Sequence, residues 1–204
     1  MKRLSLWCAA ALLLPLLAAC SFSLVPRTEY TEPKTFDLIS PSPIDELPFI
    51  IDVDAFSTEC SGRYKMVFRE EANRIYVDEY SRWSMPPGAM LTKYLSARFA
   101  TPTNNQGREK KLGFELDGSV LSCELNKATM KVELMIHYFI VEPGEEEFRI
   151  TGTEDYSIPV DETTPEAFAD GFGKGAAKFA EHIVQVLTKE ISDRASDEKK
   201  PAAN

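Results

Sequence analysis

The residues best able to do chemistry in this chain are four cysteines and two histidines, together with a glycine-rich run at Gly171-Phe172-Gly173-Lys174-Gly175. His137 alternates with Ile136 and Tyr138, as a side chain in a strand would. His182 stands among Glu181, Ile183 and Val184 in a helical pattern. Neither has a neighbour at metal-ligand spacing, so both are expected to be structural and no metal is expected. The glycine run lacks the Lys-Ser/Thr ending of a phosphate loop and falls inside helical periodicity, so close packing is the expected use of its small residues. No Gly-x-Ser-x-Gly occurs, so a nucleophile elbow is not supported. Asp78-Glu79 lacks a defensible second acid, and Glu145-Glu146-Glu147 beside Pro143-Gly144 reads as a solvated turn. The expected character is non-enzymatic, with no cofactor.

Cys20 is different. It follows Met1-Lys2-Arg3, an apolar run from Leu4 to Leu17, and the small residues Ala18-Ala19. A basic start, an apolar stretch and a small-residue cleavage site make a secretory signal. The run is shorter than the ~20 residues a spanning helix needs, and Pro15 opposes a durable helix. Leu17-Ala18-Ala19-Cys20 resembles a lipobox, which predicts cleavage after residue 19 and diacylation of the Cys20 thiol. The expected state is anchored to a membrane, not spanning it. Ser21, in place of an aspartate, points to the periplasmic face of the outer membrane over the inner one.

With Cys20 acylated and the signal gone, Cys60 and Cys123 are the remaining thiols. An extracytoplasmic compartment permits a bridge between them; two unrelated buried thiols are the alternative, because sequence cannot show that the side chains meet. The net charge of −9 becomes more negative once Lys2 and Arg3 are lost. Such a surface excludes nucleic acid as a natural partner and does not favour anionic lipid.

Residues 20–47 carry Pro26, Pro33, Pro41 and Pro43 among polar residues and read as a tether. From Ser21 to Lys34 its stretched length is ~45 Å at ~3.3 Å per residue. Residues 48–191 read as one α+β domain, and residues 192–204 as a charged tail without structure. Period-two alternation predicts strands at Phe49–Ala55, Arg63–Arg69 and Ile75–Tyr80, at Leu112–Leu116 and Val120–Leu125 around an Asp117-Gly118 turn, at Ala128–Val141 and at Glu147–Ile158. Thr101–Lys111 reads as a loop. Helices are predicted to start at Pro86-Pro87, with Met90, Leu91, Tyr94, Leu95 and Phe99 on one face, and at Pro165 behind a Thr163 or Thr164 cap. The second helix has a bulky stripe (Phe168, Phe172, Phe179, Ile183, Val186) and a small one (Ala169, Gly173, Ala176, Ala180). The expected architecture is an antiparallel or mixed sheet of six to seven strands with two helices on one face.

The stretch Arg63-Tyr64 to Phe68-Arg69, then Arg74 to Tyr80, Arg82-Trp83, Pro86-Pro87 and Leu91/Leu95 resembles the ABC-type transport auxiliary lipoproteins, which include the paraquat-inducible protein C group. Phe114-Glu115-Leu116-Asp117-Gly118 through Cys123-Glu124 is similar to the family's glycine-containing strand, although Cys123 stands where an aromatic is common. Phe36-Asp37-Leu38 takes the place of an early tyrosine-x-leucine step. The resemblance runs from about Thr35 to Ile191. It implies an auxiliary subunit of a lipid transporter, docking a periplasmic mammalian-cell-entry (MCE) domain protein that works with an ABC transporter. Self-association is compatible with it. Arg82, Trp83, Pro86 and Pro87 become candidates for the partner contact, since Trp and Arg are favoured interface anchors. The preferred alternative has Trp83 plugging the corner between sheet and helix. Two other functions stay open: a structural lipoprotein assisting assembly of an outer-membrane machine, and a secreted hydrolase.

Overall fold

A row of five inward side chains on one strand organises the molecule. In the computed structural model, which describes residues 30–100, 111–144 and 149–197, Val132, Leu134, Ile136, Tyr138 and Ile140 are each at most 4% exposed. The residues between them are half-buried on the opposite face. Strict alternation of this kind is what a sheet covered on one side requires.

The described residues from Pro33 onward form one compact unit, and the fold described here is theirs. Its strands are β1 (Lys34–Phe36), β2 (Phe49–Val53), β3 (Ser57–Thr58), β4 (Lys65–Glu71), β5 (Arg74–Trp83), β6 (Leu112–Asn126), β7 (Lys131–Val141) and β8 (Arg149–Pro159). Helix α1 (Pro87–Arg98) lies between β5 and β6, and α2 (Pro165–Asp197) follows β8. They form one eight-stranded mixed sheet in the order β1-β5-β4-β6-β7-β8, with β2 and β3 also paired to β6. β4/β5, β6/β7 and β7/β8 are antiparallel, whereas β1/β5, β2/β6, β3/β6 and β4/β6 are parallel. The expected α+β class and the two helices on one face hold, with one strand more than the upper expectation.

Three differences from the sequence reading have physical causes. Asp117-Gly118 is not a turn. Two expected strands are one, β6, fifteen residues long. Its register shifts between Val120 and Ser122, and this bulge moves the inward positions from Phe114, Leu116 and Val120 to Cys123 and Leu125. A Cβ on Gly118 would collide with the His137 carbonyl oxygen and lie 2.8 Å from the Phe56 ring, so the glycine leaves room for cross-strand and ring packing.

The second difference is the tether. Its Pro-rich second half belongs to the folded body. β1 runs parallel to β5 with Phe36 opposite Trp83, Leu38 and Leu47 are each 8% exposed, and Ile44 N donates to Arg98 O at 2.8 Å. The prolines mark irregular backbone, while the apolar residues Leu38, Ile44 and Leu47 among them pack into the core. The third is the charged tail. α2 continues past Ile191 to Asp197, and Arg194 pairs with Glu142 at 2.8 Å. Residues 1–29, 101–110, 145–148 and 198–204 lie outside the described residues, and with them Cys20, the signal, the expected Thr101–Lys111 loop (all but Lys111) and the Glu145-Glu146-Glu147 turn.

Both helices are fixed at their starts. Gly88 N, in the first turn of α1, donates to Thr58 Oγ1 at 2.8 Å, which does the work of the side-chain cap that Pro86 cannot supply. Thr164 Oγ1 accepts from Ala167 N at 3.2 Å at the start of α2. Phe168, Phe172, Ala176, Phe179, Ala180, Ile183 and Leu187 of α2 are fully buried. Gly171 and Gly175 let α2 approach β7 closely: a Cβ there would lie 2.5 Å from Val132 Cγ2 and 2.8 Å from Leu134 Cδ2.

Candidate functional site

The Arg82–Pro87 corner is built as a joint. Trp83 N donates to Tyr64 O and Ser84 N donates to Phe36 O, both at 2.7 Å. Trp83 is 3% exposed. Its ring meets Phe168 edge-on at 5.0 Å and Phe172 at 5.7 Å. A side chain held in this way cannot anchor a partner, so the candidate contact at Trp83 is corrected to a core role. Pro87 is buried in the first turn of α1, and Pro86 is half-buried. Arg82 alone of the four is exposed. Pro86 also borders a cleft of about 420 Å³ with Phe56, Thr58, Cys60, Arg63 and Ala89.

Cys60 and Cys123 come together across β3 and β6. Thr58 lies opposite Val120, and Cys60 N donates to Val120 O at 3.2 Å. Both thiols are free in the structure, Cys123 buried and Cys60 half-buried. Burial pushes Cys60 up to about 11. Burial, together with the neighbouring Cys60, pushes Cys123 well above the usual thiol range. At pH 7 the reactive thiolate of Cys60 is then roughly one part in ten thousand. The folded, reduced protein is expected to react with iodoacetamide at pH 7 about a hundredfold or more slower than an unhindered thiol. The rate at Cys60 should climb as pH rises toward 11, with Cys123 lagging behind it. Rapid labelling of both at neutral pH would contradict this. A bridge between them would have to form before the thiols are buried; thiol counting on denatured, unreduced protein distinguishes the bridged pair from two free thiols.

A polar cluster at the seam of sheet and helix was not foreseen. Tyr138 Oη lies 3.0 Å from His182 Nε2, and His182 Nε2 lies 3.4 Å from Glu154 Oε1. Tyr156 lies alongside, with a buried hydroxyl that has no hydrogen-bond partner. Burial, and then Glu154, pushes both phenols up, so they remain neutral at physiological pH. The members come from β7, β8 and α2, and nothing in their spacing along the chain links them. Asp78, by contrast, caps an irregularity in β5, its Oδ1 accepting from Tyr80 N at 2.8 Å and Ser81 N at 3.3 Å. Among the described residues, no group of three or more His, Cys, Asp or Glu could hold a metal, and no helix is long and apolar enough to cross a membrane.

The sheet face opposite the helices is a further candidate surface. Met135, His137, Phe139 and Val141 of β7 run down its middle, half-buried. The His137 ring meets Phe139 edge-on at 4.6 Å, and its Nδ1 lies 2.9 Å from Thr153 Oγ1. Opposite these residues stand Glu115, Asp117 and Ser119 of β6 and Thr151, Thr153 and Asp155 of β8. An apolar row inside a polar, acidic rim has the make-up of a protein interface.

No protein-family model matches the chain, and no curated protein matches it either. Solved structures do. An uncharacterized protein superposes with a TM-score of 0.59 at 11% identity, covering 76% of this chain and 99% of its own. Protein XCC0632 from Xanthomonas campestris, of the DUF330 family, superposes with a TM-score of 0.58 at 12% identity, covering 79% and 98%. A Caulobacter crescentus CB15 protein provisionally described as a lipoprotein aligns at 17% identity over 71% and 93%, with a TM-score of only 0.34. Identities this low speak to fold alone, and the chain shares the fold of the first two over nearly their whole lengths.

Proposed function

We propose that this chain is a membrane-anchored envelope lipoprotein that acts without catalysis, as the auxiliary subunit of an ABC/MCE-type lipid transport system at the periplasmic face of the outer membrane. The observation that carries the reading is the sheet face opposite the helices, which no described helix covers. Helices cover one side of the sheet, while the other presents the apolar residues Met135, Phe139 and Val141, with His137 among them, within an acidic rim. The partner is an MCE-domain protein, and the rim calls for a basic surface on it. The resemblance around Arg82-Trp83-Pro86-Pro87 supports the same family of roles, although Trp83 serves it as a structural residue. Lipidated Cys20 would confine the domain near its partner and raise the effective concentration there.

Copurification tests this. Full-length protein extracted in mild detergent is expected to bring down an MCE-domain protein, and Phe139→Glu to lose it while keeping its fold. Recovery of an outer-membrane assembly machine without any MCE-domain protein would favour the structural-assembly role and overturn the transport reading.

A further inference from the structure

The small-residue stripe of α2 does not all go into packing. Ala176 and Ala180 are buried, but Ala169 and Gly173 are only half-buried. They and Ala177 floor a groove of about 490 Å³, walled by Phe36 at the end of β1, by Ile39 beyond it and by Tyr94 of α1. This volume is that of a small-molecule site, for which ~300–1,000 Å³ is usual. Residues 169, 173 and 177 stand four apart, in one row of the helix, so the floor is a trough about 12 Å long at ~1.5 Å per residue.

Three features define what fits. The first is charge. Every acid lining the groove is already neutralised by a lysine of this chain: Asp37 by Lys93 at 2.7 Å, Asp170 by Lys174 at 2.7 Å, and Glu166 by Lys34 at 3.5 Å. No charge is left over to select an ionic ligand. The second is Ile39, which is 84% exposed at the mouth and offers apolar surface that the other described residues leave open. The third is Gly173. Nothing lies within 4 Å of where its Cβ would stand, whereas Gly171 and Gly175 on the same helix are in close contact with β7. With its acids paired and its floor and walls largely apolar, the trough suits a neutral aliphatic chain.

We propose that this groove holds one fatty-acyl chain of a membrane phospholipid. The assignment rests on the groove itself and stands apart from the MCE reading.

The test uses full-length lipidated protein in vesicles of phosphatidylethanolamine and phosphatidylglycerol, with no other protein present. A trace of the phosphatidylethanolamine carries a photoactivatable diazirine in its acyl chain. Illumination is expected to label the peptides bearing Ile39 and Ala169–Ala177 above those of the outer sheet face. Gly173→Leu, which fills the trough where the wild-type backbone leaves space, should cut groove labelling about tenfold and leave the thermal midpoint no lower. Ala177→Phe is the second blocking variant, should the first disturb the helix. Labelling absent from these peptides, or spread evenly over the surface, would overturn the proposal. So would labelling undiminished in both variants, since a groove that can be filled without effect is not the site.

Discussion

Trp83→Ala is expected to lower folding stability by about 3–5 kcal/mol, in the range for deleting a large buried aromatic. The indole fills the space between β5 and α2, against Phe168 and Phe172. Alanine leaves a cavity bounded by two rings that are themselves fully buried, so little of it can collapse. Typical domains have only ~5–15 kcal/mol in hand, and the loss would be visible as a large fall in the urea midpoint. Trp83→Phe should cost less, because it retains one edge-on ring contact. Partner copurification by the folded fraction should be unaffected. An unchanged midpoint with lost copurification would restore Trp83 to the surface role that the sequence alone allowed.

Cys20→Ala should have the larger effect in the cell. Each buried acyl methylene contributes ~0.8 kcal/mol of membrane binding, and two or more chains make release negligible. The variant is expected to move from the membrane to the soluble envelope fraction with an unchanged thermal midpoint. Mass spectrometry of the wild-type N-terminal peptide should show acyl groups on Cys20. Full membrane attachment of the alanine variant would contradict the anchor.

What could be read in the sequence follows a physical division. β7 and most of the bulky stripe of α2 were legible because alternation and the 3.6-residue period report burial directly; at its end Leu187 is buried in place of the expected Val186. Pro86-Pro87 and Thr164-Pro165 announced two helix starts through fixed φ and capping chemistry. The bulge in β6 was hidden: Asp117-Gly118 has the letters of a turn, and only Phe56 and the backbone of β7, brought in by the fold, show why a glycine is needed inside a strand. β1 and β3 are three and two residues long, too short to show a period. They exist because β5 and β6 offer edges. The candidate site was less legible still. Arg82-Trp83-Pro86-Pro87 stood out by residue type, yet burial at Trp83 depends on α2, more than eighty positions later in the chain. The Tyr138–His182–Glu154 cluster, the neighbouring thiols of Cys60 and Cys123, and the groove at Gly173 each depend on segments brought together by the sheet.

In the proposed role, the sheet face opposite the helices meets an MCE-domain protein. The most direct measurement replaces Phe139 by a photo-crosslinking phenylalanine analogue in the full-length protein, in intact cells, with Arg82 replaced in a parallel strain. Illumination should yield a crosslink from position 139 to an MCE-domain protein, identified by mass spectrometry, and a weaker one or none from position 82. If position 139 captures no MCE-domain protein while position 82 does, the docking surface lies at the corner and the assignment to the sheet face is wrong; if neither does, the transport role itself fails.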